Sequence, residues 1–185
     1  MKKINLFFLA MLVGIISQAQ SLTVTASVIQ NVSCYGGSNG LATCSPSGGT
    51  APYTYLWLAG GQTTQPAVHL VAATYTVRVS DHIGNTASAS ATVTQPATPL
   101  SITATAKYNS ICALQSDSLY ASGSGGTIPY GYMWNGPAAD ISSPTSQNTN
   151  AYPYGAAYVV TAVNDANGCT ASASVSITVQ VTTDS

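Results

Sequence analysis

The chain has 185 residues, of which only 5% are charged, whereas about a quarter of a typical globular chain is charged. Lys2 and Lys3 lie at the N-terminus, so Arg78 and Lys107 are the only basic residues in the rest of the chain, and glutamate is absent. This composition excludes the basic patch that nucleic-acid binding requires.

The first predicted element is a secretory signal peptide over residues 1–19. Lys2 and Lys3 precede an apolar stretch from Leu6 to Ile16, and the small residues at 17–19 suit cleavage after Ala19. Because this stretch is too short to span a bilayer, we expect no stable membrane insertion. The prediction is export through the Sec pathway to an extracellular or cell-surface location.

Residues 20–96 predict a first β-sandwich. Short runs of alternating apolar residues are separated by clusters of Gly, Pro, Asn and Ser, which is typical of an all-β sandwich. The runs include residues 22–28, 53–57 and 75–79, and a turn at 81–84 leads to a closing strand that ends at Val93.

Residues 97–185 predict a second sandwich, because the sequence repeats itself. GGTAPYTYLW at 48–57 returns as GGTIPYGYMW at 125–134 with seven of ten positions identical, and residues 81–89 return at 165–173. A one-residue shift between 75–81 and 158–165 predicts a β-bulge in the second copy. Two prolines at 95–99 predict a stiff linker. The fold class is therefore all-β, with two tandem immunoglobulin-like β-sandwich domains after a cleaved signal peptide.

Four cysteines in a secreted chain predict disulfides. Their spacing favours one pair in each domain, Cys34 with Cys44 and Cys112 with Cys169. Cys34 or Cys44 paired between chains is the alternative.

The remaining candidate residues are predicted to have structural roles rather than catalytic or metal-binding ones. Trp57 and Trp134 occupy equivalent strand positions and are predicted to anchor the two cores. Asp81 and Asp165 lie in Asp-x-x-Gly turns and are predicted to cap them rather than bind calcium. The two histidines, His69 and His82, lack the spacing of zinc ligands or of a catalytic triad. We therefore expect no enzymatic activity, no metal site and no cofactor.

The motifs NVSCYGGSNG (31–40), GGTAPYTYLW (48–57), GQTT (61–64) and VTQP (93–96) resemble the SprB repeat of Bacteroidetes cell-surface and secreted adhesion proteins. The second domain resembles the PKD-like, immunoglobulin-like modules of such proteins, and this resemblance implies a pair between Cys112 and the Cys169 of DANGC (165–169). The first repeat has Asn85 where such repeats often carry cysteine, which makes Cys44 the substitute partner of Cys34. Asp117-Ser118-Leu119 resembles a Bacteroidetes O-glycosylation acceptor, with Ser118 modified.

The resemblance implies an extracellular role in structure and adhesion. The first hypothesis is a self-assembling, non-enzymatic subunit of a surface filament or matrix, joined by strand addition through the uncharged strand at 21–30 or the strand at 170–181. The alternative is an adhesin or carbohydrate-binding module that binds surface glycans through loop tyrosines without polymerising. A secreted protein of passive role is the third.

Overall fold

The computed structural model describes residues 20–112, 115–136, 141–152 and 158–180, and the predicted signal peptide lies outside them. All the helices and strands assigned to these residues are β-strands. Consistently, nothing in this part of the chain forms a helix of the length and hydropathy that a membrane span requires.

The first sandwich consists of two three-stranded antiparallel sheets, ordered β1-β2-β4 and β3-β5-β6. The strands are β1 (Thr23–Gln30), β2 (Gly40–Ser47), β3 (Thr54–Trp57), β4 (Ala67–Leu70), β5 (Ala73–Ser80) and β6 (Thr86–Val93).

The core of the first sandwich lies between its two sheets and follows the alternation in the sequence. Along β5, Tyr75, Val77 and Val79 are buried while their neighbours face outward, because successive side chains of a strand point to opposite faces. From β1, Val24, Ala26 and Val28 pack against this core with their inner faces. The predicted faces of both strands are therefore correct.

The second sandwich has sheets ordered β11-β9-β7 and β10-β12-β13, and a parallel pair formed by β8 and β14. Its strands are β7 (Ser101–Ala106), β8 (Ser110–Cys112), β9 (Asp117–Ser124), β10 (Gly131–Asn135), β11 (Asn148–Ala151), β12 (Tyr158–Asn164), β13 (Thr170–Val175) and β14 (Thr178–Gln180). The register between β12 and β13 shifts between Val160 and Val163, which confirms the predicted bulge.

The buried apolar residues form two separate clusters, one in each sandwich. The first includes Trp57 and Val93, and the second includes Leu119, Trp134 and Ile177. This arrangement confirms the all-β, immunoglobulin-like fold class. The domain boundaries at 96 and 97 remain a prediction.

Each sandwich has two ends, which the register defines. In the first sandwich β1 begins opposite Ser47 and ends opposite Leu41, so residues 20–22, 48–50 and 81–85 lie together at what we call the leading end. Residues 31–39 and 94–95 form its trailing end. In the second sandwich the leading end comprises residues 98–100, 125–127 and 165–169, and the trailing end comprises the described residues of 107–117 with 178–180.

Candidate functional site at the junction of the two sandwiches

A disulfide bond joins the two sandwiches. It links Cys34, at the trailing end of the first sandwich, to Cys169, at the leading end of the second, with their Cα atoms 5.7 Å apart. Beside it, the side-chain amide of Asn167 donates a hydrogen bond of 3.2 Å to the carbonyl oxygen of Ser33. The sandwiches are therefore attached end to end at two points besides the linker.

Hydrogen bonds hold the Cys34 loop in place. The amide of Gly37 donates to the Cys34 carbonyl at 2.9 Å and closes a turn. The amide of Gly36 donates to the side chain of Gln95 at 2.8 Å, which ties the loop to the start of the linker. The position of Cys34 is therefore coupled to the path of the chain into the second sandwich.

Asp165 holds Cys169 on the opposite side of the junction. One oxygen of this buried carboxylate accepts hydrogen bonds from the amides of Asn167 and Cys169, both at 2.9 Å, and the other accepts from the amide of Thr127 at 2.9 Å. Burial alone would raise the pKa of Asp165, but these hydrogen bonds outweigh it and lower the pKa below its usual value. The carboxylate therefore caps the turn that presents Cys169, as the sequence predicts.

Asp81 caps the equivalent turn at the leading end of the first sandwich. Its oxygens accept from the amides of Ile83 (3.2 Å), Asn85 (2.8 Å) and Thr50 (3.0 Å). The Asn85 side chain adds a further hydrogen bond of 2.9 Å. Here too burial raises the pKa of Asp81, the hydrogen bonds lower it, and the net shift is downward.

The predicted disulfide pairs were wrong. Cys44 lies on β2, four residues beyond Gly40, which places it roughly 13 Å along the strand from the trailing end that carries Cys34. Cys112 and Cys169 lie at opposite ends of the second sandwich. Because a disulfide requires Cα atoms within about 7 Å, neither predicted pair is compatible with the fold.

Cys44 and Cys112 are free thiols in two different environments. Cys44 is buried in the first core, and burial raises the pKa of its thiol, so it behaves as a small apolar side chain. Cys112 is exposed beside an open groove of about 430 Å³ that Tyr108 and Gln180 also line.

The two tryptophans lie in the cores. Trp57 and Trp134 are 0% and 2% exposed, and each indole N–H donates to a backbone carbonyl, that of Thr64 at 3.1 Å and that of Ser146 at 2.8 Å. Buried tryptophan needs such a partner for its N–H, and here the partners, Thr64 and Ser146, come shortly before the next strands, β4 and β11.

Ser118 lies on β9 and its hydroxyl contacts the side-chain oxygen of Asn150 at 3.0 Å. Glycosylation of Ser118 stays a prediction. His69 and His82 are exposed, and they lie in β4 and in the Asp81 turn. Across the described residues no three His, Cys, Asp or Glu side chains come close enough to hold a metal ion.

The loop tyrosines lie at different places. Tyr35 lines a groove of about 340 Å³ at the junction together with Cys34, Cys169 and Leu100. Tyr108 lies at the trailing end of the second sandwich, and Tyr152 follows β11. Both are about half exposed. Tyr154 lies outside the described residues.

Sequence reasoning missed the bridge between the sandwiches. The signal in the sequence was a difference between the two repeats at equivalent turn positions. The first turn has Asn85, whereas the second has Cys169. It also missed Gln65 and Gln147, whose side-chain amides donate to the carbonyls of Cys44 and Ala121 on the middle strands of their sheets.

The described part of the chain thus defines an all-β protein of two end-to-end sandwiches. Residues 21–62 match the family model of the SprB repeat, which confirms the resemblance for that segment. No curated protein matches the sequence.

Solved structures with a similar arrangement of strands include three multi-module proteins. The N-terminal eight Ig domains of Down syndrome cell adhesion molecule have 13% identity and a TM-score of 0.46, covering 84% of this chain and 24% of that one. A tetra-tandem repeat from the extending region of a large adhesion protein has 14% identity and a TM-score of 0.31, covering 86% and 50%. The fibronectin(III)-like modules of Clostridium thermocellum CbhA have 11% identity and a TM-score of 0.35, covering 89% and 92%. This chain thus spans about a quarter of the first of these structures and half of the second.

Proposed function

We propose that the chain is a secreted, non-enzymatic structural protein of adhesion type, and that it assembles with itself into an extracellular filament or matrix. In this proposal residues 1–19 are removed on export through the Sec pathway. Residues 20–96 and 97–185 are then the two domains of the mature subunit. Its function is to present contact surface, without a bound cofactor.

The disulfide between Cys34 and Cys169 is the observation that carries this proposal. It is placed where it limits bending between the two sandwiches, rather than inside either core. A stiff, end-to-end pair of modules suits a protein that spans distance or transmits load. The match of residues 21–62 to the SprB repeat supports the same class of role.

The edge strand β1, alongside which β6 of the other sheet lies, offers one route for assembly. Within the described strands β1 pairs on one side only, with β2, and its eight residues contain neither charge nor proline, the usual protections against edge-to-edge pairing. Because Val24, Ala26 and Val28 already pack in the core, β1 cannot itself be the donated strand. Strand addition along this edge therefore requires β6 to separate from β1, which then accepts a strand from another copy.

Electron microscopy and sedimentation velocity of residues 20–185 test the proposal. We expect filaments or a broad series of oligomers that grows with protein concentration. A single monomeric species across the full concentration range would refute self-assembly.

An adhesin that binds glycans without polymerising is the second candidate, and the exposed tyrosines favour it. Tyr152 is 47% exposed beside β11, and exposed aromatic rings stack on sugar rings. Glycan-array binding that Tyr152→Ala abolishes, and that Tyr120→Ala on β9 does not, would support this candidate. Absence of binding by the monomeric fraction would remove it.

A further inference from the structure

We propose that a second copy of this chain docks its leading end onto the trailing end of the first, so that the junction inside the chain is repeated between chains. This inference rests on the proposed self-assembly and names the surfaces that carry it. The two surfaces are the leading end of the first sandwich and the trailing end of the second.

The trailing end of the second sandwich is built like the trailing end of the first. The amide of Gln115 donates to the Cys112 carbonyl at 3.3 Å, as the amide of Gly37 does to the Cys34 carbonyl at 2.9 Å. Equivalent residues tie the closing strands through different acceptor atoms: the amide of Thr178 donates to the backbone oxygen of Asn109 at 3.0 Å. In the first sandwich the amide of Thr94 donates to the side-chain oxygen of Asn31 at 2.9 Å.

The leading end of the first sandwich is built like the leading end of the second. The amide after each turn aspartate donates to a threonine carbonyl, His82 to Thr50 at 2.8 Å and Ala166 to Thr127 at 2.9 Å. Leucine lies in the same place at both ends: the position of a Cβ on Gly49 is 3.2 Å from the Leu22 side chain, and that on Gly126 is 3.2 Å from the Leu100 side chain.

One mating surface of each kind is therefore occupied inside the chain. On the other two, the described side chains of Ile83 and Tyr108 are exposed. The free leading end carries a groove of about 500 Å³ lined by Leu22, Ile83 and Asn85. The free trailing end carries the groove beside Tyr108 and Cys112. Because a trailing end and a leading end of this build already pair at the internal junction, the occupant that the fold itself supplies is a second copy.

The proposed junction between copies differs in chemistry from the internal junction, because residues at equivalent positions differ. Asn85 replaces Cys169, so the junction between copies has no disulfide. Ile83 replaces Asn167 and is 62% exposed, and Tyr108 at the opposite surface is 52% exposed. Apolar contact therefore takes the place of the hydrogen bond and the covalent bond of the internal junction.

This geometry leads to an open polymer. The contact is heterologous, because each copy uses two different surfaces, and a heterologous contact that does not close into a ring extends without limit. The filament then repeats the same type of junction throughout, with covalent and non-covalent junctions alternating.

Introducing a cysteine at the leading end tests the proposal directly. In Asn85→Cys the new thiol and that of Cys112 in a neighbouring copy would face each other as Cys34 and Cys169 do. Oxidised glutathione supplies the oxidation: the two protein thiols lose two electrons and two protons to form the bond, and the glutathione disulfide is reduced to two thiols. We expect a ladder of dimers, trimers and higher oligomers on a non-reducing gel, which dithiothreitol collapses.

Two matched variants control the experiment. Adding Cys112→Ser to Asn85→Cys should abolish the ladder. Ser88→Cys, on an outward-facing position of β6, should cross-link with Cys112 about tenfold or more slowly, because only docked thiols have a high effective concentration. Equal rates for Asn85→Cys and Ser88→Cys would indicate random collision and overturn the proposal.

Microscopy of the unmodified protein separates this proposal from the broader one. Filaments without the Asn85→Cys ladder would overturn docking through these ends while leaving self-assembly intact. Monomers without the ladder would overturn both.

Discussion

Asp81 and Asp165 show how single side chains organise the ends of this molecule. Each carboxylate is about 5% exposed and accepts at least three hydrogen bonds from its own turn and from the loop beside it. A buried carboxylate is tolerated only when its oxygens are so occupied. These two residues therefore determine the shapes of the two leading ends, of which that organised by Asp165 lies at the junction.

The lowered pKa of both carboxyls makes folding sensitive to acid. A group whose pKa is lower in the folded state stabilises the fold above its unfolded pKa, which is about 3.9 for Asp, and this contribution is lost as the pH falls through the folded pKa. We expect the free energy of unfolding, measured with urea, to be level from about pH 5 to 7 and to fall below about pH 4. The Asp81→Asn, Asp165→Asn double variant should show lower stability at pH 7 and a flatter decline; a decline as steep as that of the unchanged protein would contradict the assignment.

Loss of the bridging disulfide should be costly. The bond closes a loop with a sequence separation of 135 residues, which stabilises by about 5 kcal/mol in the chain-entropy description. Because the two sandwiches have separate cores, part of this effect appears as greater freedom between them rather than as unfolding. We expect Cys34→Ser to lower the melting temperature and to raise the radius of gyration in small-angle X-ray scattering.

Cys112→Ser is the matched control for the disulfide, since Cys112 is exposed and free. It should leave both the melting temperature and the scattering profile unchanged. If Cys112→Ser is as damaging as Cys34→Ser, the pairing of Cys34 with Cys169 is wrong.

At the scale of elements, the repeated turn that follows β2 in the first sandwich and β9 in the second is tightly constrained. Tyr53 and Tyr130 each donate a hydrogen bond of 2.7 Å from the hydroxyl to the first glycine of their motif, Gly48 and Gly125. Both glycines have positive φ, and a Cβ on Gly125 would overlap the Pro99 carbonyl. Glycine is therefore required both for conformation and for the close approach of the linker.

Gly125→Ala should destabilise the second sandwich by more than the cost of the left-handed conformation alone. Gly61→Ala is the control, because Gly61 has a similar φ of +64° but open space around it. We expect about 1 kcal/mol for Gly61→Ala and at least about 1–2 kcal/mol more for Gly125→Ala, from urea unfolding. Equal losses would show that the overlap with Pro99 is relieved without cost.

The strands were largely predictable from the sequence, but the disulfide between the two sandwiches was not. Strands such as β5 were predicted because the alternation of Tyr75, Val77 and Val79 directly reflects two faces in different surroundings. The bulge in β12 was predicted because the internal repeat offers a template to count against. The pairing of Cys34 was missed because spacing favoured a partner within its own domain, whereas the actual partner depends on how two sandwiches are stacked.

At the scale of the whole molecule, the low density of charge on the surface favours close association. The described residues contain only Arg78 and Lys107 as basic side chains, and little net charge separates copies of the chain. Assembly through the ends should therefore depend on apolar contact more than on ionic strength.

Ile83→Asp should prevent assembly without affecting the fold. It places a charge in the proposed contact between copies, where burying an unpaired carboxylate is costly. Leu58→Asp is the control, since Leu58 is similarly exposed, at 57%, and lies outside both ends. We expect sedimentation velocity to show monomers for Ile83→Asp and the full series of oligomers for Leu58→Asp; the reverse result would place the contact elsewhere.

The disulfide between Cys34 and Cys169 also determines how the molecule responds to tension. A pulling force applied to both termini enters through β1, reaches Cys34, crosses the covalent bond to Cys169 and leaves through β13 and β14. The intervening chain carries no load, so extension excludes roughly 470 Å of contour length, at about 3.5 Å for each of the 135 residues. In single-molecule force spectroscopy that length should appear only after reduction, so the oxidised subunit can extend only through the strands outside the disulfide loop, β1, β13 and β14.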